Sequence, residues 1–178
     1  MTEHILRTGV VVGNPKPQSR TYQAALLLAT QLTGADPDLV IDLADLGARL
    51  LDWSDAGIAE TVDEVRGLDL LIVASPTYKA TYTGLLKLFL DRFPSNALEG
   101  VVAIPLMLGA GPGHALAPEA YLRPVLSELG ASCPTKALYL LDSAYDDPQV
   151  LEPWLAVARD RVIAATARPA PAGPTGAP

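Results

Sequence analysis

Leu68-Asp69-Leu70-Leu71-Ile72-Val73-Ala74-Ser75-Pro76-Thr77-Tyr78-Lys79-Ala80-Thr81-Tyr82-Thr83-Gly84-Leu85-Leu86-Lys87 runs from a strand pattern, through a short turn, into a helix pattern. From Leu68 to Ala74 the chain is apolar on both faces apart from Asp69, which marks a buried parallel strand rather than a half-solvated one. Pro76 stiffens the exit, and Thr83 or Thr81 stands where a hydroxyl can cap the next helix. That helix is expected over Thr83 to Phe93. Its apolar residues cover an arc of roughly 200°, wider than the stripe needed to pack on one sheet. The excess is consistent with a partner subunit or with deep burial inside the chain.

Outward from this unit the same alternation repeats. Gly9 to Gly13, Leu39 to Ile41, Val101 to Leu108 and Ala137 to Leu141 read as further strands. Ser19 to Leu32, Thr61 to Arg66, Pro118 to Gly130 and Gln149 to Arg168 read as helices, with Gly130 a suitable stop. Strand-helix alternation of this kind implies an α/β fold, a three-layer α/β/α sandwich around a parallel sheet. Five strands in 178 residues fit the order 2-1-3-4-5 better than a six-stranded dinucleotide arrangement. One domain is expected over residues 1–167. Residues 168–178, Arg-Pro-Ala-Pro-Ala-Gly-Pro-Thr-Gly-Ala-Pro, offer almost nothing to bury and are expected to form a flexible extension. In such sheets ligands bind beyond the carboxyl ends of the strands, near the reversal of strand order. The loops after strands 1, 3 and 4 are therefore where chemistry is sought.

Composition narrows the ligand. With 20 acidic and 13 basic residues the net charge is −7, which argues against nucleic-acid binding and against docking on anionic lipid. An anionic small molecule would need a local basic site that outweighs this field. The single cysteine, Cys133, excludes an intrachain disulfide and reads as a small apolar filler near a strand. No secretory pattern or membrane-length apolar run is visible, so a cytoplasmic protein without membrane contact is expected. Two histidines and one cysteine offer little for a transition metal, and no metal site is expected.

The loop after strand 1, Gly13-Asn14-Pro15-Lys16-Pro17-Gln18-Ser19-Arg20-Thr21, leads into a helix N-terminus, whose unpaired N–H groups suit a phosphate. Ser19 and Thr21 add hydroxyls, and Lys16 and Arg20 add charge. The competing reading makes Ser19 only a cap and Arg20 a solvated side chain. Because the loop lacks a Gly-Lys-Ser/Thr ending, nucleoside-triphosphate hydrolysis is not expected. After strand 3, Tyr78 stands where a flat heterocycle could rest at the sheet edge. After strand 4, Gly109-Ala110-Gly111-Pro112-Gly113-His114 has the wrong spacing for a dinucleotide fingerprint. Its glycines suit close backbone approach to a flat ring. His114 reads as a structural histidine first and a nucleotide contact second.

Three dispersed segments resemble the NAD(P)H-dependent FMN reductase family, whose fold is flavodoxin-like. Pro76, Tyr78, Thr81, Gly84, Leu86 and Lys87 match its Pro-x-Tyr-x-x-Ser/Thr-x-x-Gly-x-Leu-Lys pattern. The strand-1 loop is similar to the family's phosphate loop, with Asn14 in place of the usual serine. Within Gly109 to Ala131, His114, Leu116, Leu122, Arg123, Pro124, Leu126, Leu129, Gly130 and Ala131 match a third motif. The resemblance spans roughly residues 5 to 145, in order. It implies that Lys16, Ser19, Arg20 and Thr21 hold the phosphate of FMN. Pro76, Thr77, Tyr78 and Lys79 would then line the ring edge, and Gly109 and Gly111 would admit backbone to the ring's other side. It further implies NADPH or NADH as co-substrate, a homodimer or homotetramer, and a flavin-dependent monooxygenase as the partner supplied with reduced flavin. Two alternatives remain: a reductase of quinones, azo dyes or chromate that keeps its FMN, and a flavodoxin-like electron carrier without nicotinamide turnover. No residue is expected to act as a covalent catalyst.

Overall fold

The computed structural model describes residues 6–167, so the proline-rich 168–178 segment and residues 1–5 lie outside the described residues. Five parallel strands, β1 (Thr8–Val12), β2 (Leu39–Asp42), β3 (Leu70–Pro76), β4 (Val102–Gly109) and β5 (Leu138–Leu141), stand in the order β2-β1-β3-β4-β5. This is the 2-1-3-4-5 order that the sequence implies. The register sets Val12 of β1 beside Asp42 and Ala74, and Gly109 of β4 beside Leu141. All strand exits therefore meet at one edge.

Two apolar layers cover the sheet. On one face Val10, Val12, Ile72, Ile104 and Leu106 pack against α1 (Arg20–Thr33) and α6 (Pro148–Thr166), through Ala25, Leu28, Leu155 and Val162. On the other, Val11, Leu71, Val73 and Met107 pack against α3 (Ala56–Arg66), α4 (Gly84–Leu90) and α5 (Arg123–Glu128). Adjacent residues of one strand serve opposite layers, which is why both faces of each strand had to be apolar. Pro105 sits inside a central strand, where a ladder donor is normally required. Ala103 donates to Ser132 on the β5 side, whereas pairing with β5 itself resumes only at Leu106–Leu138. Pro105 falls in the gap between, where no donor is demanded.

Several boundaries differ from those read in the sequence. The third helix starts at Ala56 rather than near Thr61, because Asp55 caps it by accepting from Ile58 N–H. A short α2 (Leu43–Leu46) and a tight turn over Gly47–Leu51 follow β2, started by Asp42. The fourth helix ends at Leu90, short of Phe93. Residues 118–122 form a wide π turn before α5. Pro124 explains it, since this residue has no N–H to return to the Ala120 carbonyl, and the turn loosens instead. The broad apolar arc expected over Thr83 to Phe93 is largely covered by the chain itself: Leu86, Phe89 and Leu90 of α4 and Phe93 beyond it are buried, and Leu88 is 38% exposed.

Asp55 does double duty, receiving two bonds of 2.8 Å from the Arg49 guanidinium. Hydrogen bonding from Arg49 holds its carboxyl at about 2, below the ordinary value of about 3.9. A carboxyl depressed on folding stabilises the fold above its unfolded value, and that contribution is lost as pH falls through the folded value. Nuclear magnetic resonance titration should therefore place the Asp55 midpoint near 2. In Arg49→Met the midpoint should rise toward the ordinary value, and the acid side of the stability profile should shift upward with it.

Candidate functional site

The turns leaving β1 and β3 are tied together by a buried polar knot. Gly13 N–H donates to Ala74 O at 2.7 Å. Thr83 donates its hydroxyl to Gly13 O and accepts from Leu86 N–H, capping α4. Its own N–H donates to the Ser75 hydroxyl, which is fully buried and donates in turn to Pro76 O. Gly13 has no alternative here: a Cβ would lie 2.4 Å from Leu86 Cβ.

Beyond this knot opens a cleft of about 350 Å³, at the small end of the usual range of roughly 300–1,000 Å³ for ligand pockets. Of the residues singled out in the sequence, Lys16, Ser19, Arg20, Thr21, Pro76, Thr77, Tyr78 and Gly109 line it. Lys79 and Gly111 do not. Lys79 is exposed on the adjoining turn, and Gly111 accepts a 2.6 Å bond from the Tyr139 hydroxyl. His114 is exposed at the end of a short turn and is not part of the cleft wall. Cys133 is also elsewhere, and burial pushes its thiol pKa up, away from the reactive thiolate.

One end of the cleft gathers two cations and two hydroxyls, those of Lys16, Arg20, Ser19 and Thr21. Ser19 caps α1 by accepting from Tyr22 N–H, and the positive dipole end of the helix lies where Ser19, Arg20 and Thr21 line the cleft. Asn14 organises the loop, donating to the Thr21 hydroxyl at 3.1 Å and accepting from Lys16 N–H at 3.0 Å. Gln18 takes a left-handed conformation (φ 48°) so that its N–H can reach the Asp42 carboxylate at 2.8 Å. The Ser19 and Thr21 hydroxyls each accept a bond and keep a proton to donate. Arg20 is 3.3 Å from Asp142, in an exposed pair that contributes little by itself.

The other end is flatter and less polar, walled by Pro76, Leu108, Gly109 and Ala110, with half-exposed Tyr78 beside them. The space beside Gly109 is already filled, since a Cβ there would lie 2.0 Å from the Tyr139 hydroxyl. Burial raises the Tyr139 phenol pKa, so it stays protonated and holds the Gly111 carbonyl. The Thr77 hydroxyl, sealed from solvent, completes no hydrogen bond of ordinary geometry. Sequence reasoning did not select Asn14, Leu108, Ala110 or Asp142 as site residues. Asp142 reaches the cleft because it follows Leu141, the register partner of Gly109, and donates its N–H to Gly109 O at 3.0 Å.

A donor-rich helix end joined to an apolar slot is the pattern the family comparison explains. A family model described as NADPH-dependent FMN reductase matches residues 6–146. The chain belongs to this family. It is therefore an oxidoreductase of the FMN reductases, whose flavin is FMN and whose reductant is NAD(P)H. Among relatives of this family, an FMN reductase (NADPH) of Escherichia coli (strain K12) is 32% identical, covering 83% of this chain and 76% of its own length. An NADH-dependent FMN reductase, SfnF, of Pseudomonas putida is 29% identical, covering 86% and 87% respectively. The apo crystal structure of an NADH:FMN oxidoreductase is 34% identical with a TM-score of 0.76, covering 91% of this chain and 89% of that one.

The knot that holds this FMN reductase cleft together is testable. Thr83→Val removes both bonds made by the hydroxyl and should cost about 1–3 kcal/mol, read from the urea midpoint. Thr83→Ser retains both bonds and should recover most of that loss.

Proposed function

We propose that the cleft takes FMN with its phosphate at the α1 end and its ring along the Pro76–Tyr78 turn, and that the enzyme reduces it with NADH or NADPH. The carrying observation is one continuous cleft with phosphate-type donors at one end and an apolar slot at the other. The donor set fits the group: Lys16 and Arg20 supply charge, and the Ser19 and Thr21 hydroxyls and the first N–H groups of α1 supply directed bonds. Arg20 would exchange its exposed partner Asp142 for the phosphate. Pro76, Thr77, Tyr78 and Gly109 would border the ring. Lys79 and Gly111 act differently in this reading, Lys79 as a charge at the rim and Gly111 as the carbonyl that Tyr139 anchors.

When bound, FMN supplies the hydride-accepting ring system. The chain's own part is to bind and orient it, through fixed backbone donors and a wall held in place by the knot. No side chain is asked to form a covalent bond. The exposed pair at Arg20 and the open mouth at Tyr78 favour flavin that leaves after reduction, and a flavin-dependent monooxygenase would be the recipient. Self-association belongs to the same reading. Its support is the exposed apolar side chains of Leu51, Trp53 and Leu88; Arg92 fixes the turn that carries Trp53 by donating to the carbonyls of Asp52 and Trp53. A single folding unit over residues 1–167 is part of it too, as is a cytoplasmic setting. Among the described residues no helix is long and apolar enough to cross a membrane.

Steady-state oxidation of NAD(P)H should be saturable in added FMN, with the rate following free flavin. Turnover that ignores added FMN and responds only to a quinone would reverse the reading. Arg20→Ala should weaken FMN binding about ten- to hundredfold, the equivalent of one charge-assisted bond, with little change in melting temperature. An unchanged dissociation constant, measured by flavin fluorescence, would remove Arg20 from the phosphate site.

A further inference from the structure

Among the described residues, four basic side chains have neither a carboxylate nor a hydrogen-bond partner: Lys16, Lys79, Lys136 and Arg161. In a chain of net charge −7, cations left free are a selective feature. Lys16 and Lys79 stand at or beside the flavin cleft. Lys136 and Arg161 share a second one, of about 300 Å³, which has no carboxylate in its wall.

This second cleft lies between the segment before β5 and the outer face of α6. β5 separates the two sites, with Lys136 preceding its first residue and Asp142 following its last. Pro153, Trp154, Val157 and Arg161 recur at helical spacing and present one stripe to the cleft. Trp154 is half-buried, and its indole N–H donates to Lys136 O at 2.9 Å, fixing the ring against the loop. Thr135 lies in the same wall, only 4% exposed, and its hydroxyl has no hydrogen-bond partner. Buried hydroxyls are normally paired.

We propose that this groove binds a small organic anion with a flat apolar body, its anionic group on Lys136 and Arg161 and its body against Trp154, Pro153 and Val157. The aromatic face and apolar stripe supply contact area, and the two cations supply selection for charge. This inference does not rest on the flavin reading.

The chain has two tryptophans, so Trp53→Phe leaves Trp154 as the sole indole reporter. Phenylacetate titrated into that variant should change Trp154 emission saturably, with a matching calorimetric isotherm. Its neutral counterpart phenylethanol should bind at least about tenfold more weakly, as should phenylacetate to the Lys136→Met, Arg161→Met double variant. Both substituted side chains are exposed, so the melting temperature should hold, as should FMN reductase activity. Absence of saturation, equal affinity for the two compounds, indifference to the double variant, or displacement by FMN would each overturn the proposal.

Discussion

The site depends on one buried threonine hydroxyl. Thr83 joins the β1 exit to the β3 exit by donating to Gly13 O, while accepting from Leu86 N–H in the first turn of α4 and engaging Ser75 through its own N–H. These groups are sealed from water, so each missing bond would leave a buried polar atom unpaired, a cost that apolar packing does not repay. The knot therefore does more than add stability. It sets the distance between the phosphate-type loop and the Pro76–Tyr78 turn, and so the length of cleft between them.

Electrostatics follow from the same arrangement. A net charge of −7 repels an anionic nucleotide at long range, yet donors concentrated at the α1 end act within a few ångströms, where the distant field is screened. Asp142 tempers the effect by pairing with Arg20 at 3.3 Å. Because that pair is exposed, giving it up costs little. The carboxylate thus keeps a long cation oriented without committing it.

The fold was legible because its strands are apolar on both faces, and only a sheet covered by helices on both sides asks for that. The lining of the candidate cleft was legible where polar residues concentrate in a continuous stretch, as from Asn14 to Thr21 and from Pro76 to Tyr78. Elsewhere the meaning of a residue depends on neighbours distant in sequence. Gly109 reads as close backbone approach to a ring, and only the fold adds that its missing Cβ also makes way for the Tyr139 hydroxyl. Asp142 gains its place from parallel register across β4 and β5, which no local pattern displays. Asn14 could be seen to replace a serine, but its paired bonds to Thr21 and Lys16 come from the turn's shape. The start of α3 was hidden because Gly57 looks like loop, while Asp55 supplies a cap strong enough to override it.

The turn at Tyr78–Thr81 shows why such a site needs a rigid frame. Lys79 and Ala80 are consecutive non-glycine residues in the left-handed region, with φ of 51° and 70°, a conformation that costs of order 1–3 kcal/mol per residue. Reciprocal bonds between the Tyr78 and Thr81 backbones, at 2.8 and 3.2 Å, close the turn. Glycine at either position would relieve the strain, but it would also release the chain to other conformations. The side-chain-bearing residues restrict the turn instead, and Thr77 N–H bound to Leu108 O at 2.6 Å ties its base to β4. Strain of this size persists only where both ends are held. Here β4 holds one end and the Thr83 knot the other, so Tyr78 stays half-exposed over the cleft rather than folding into it.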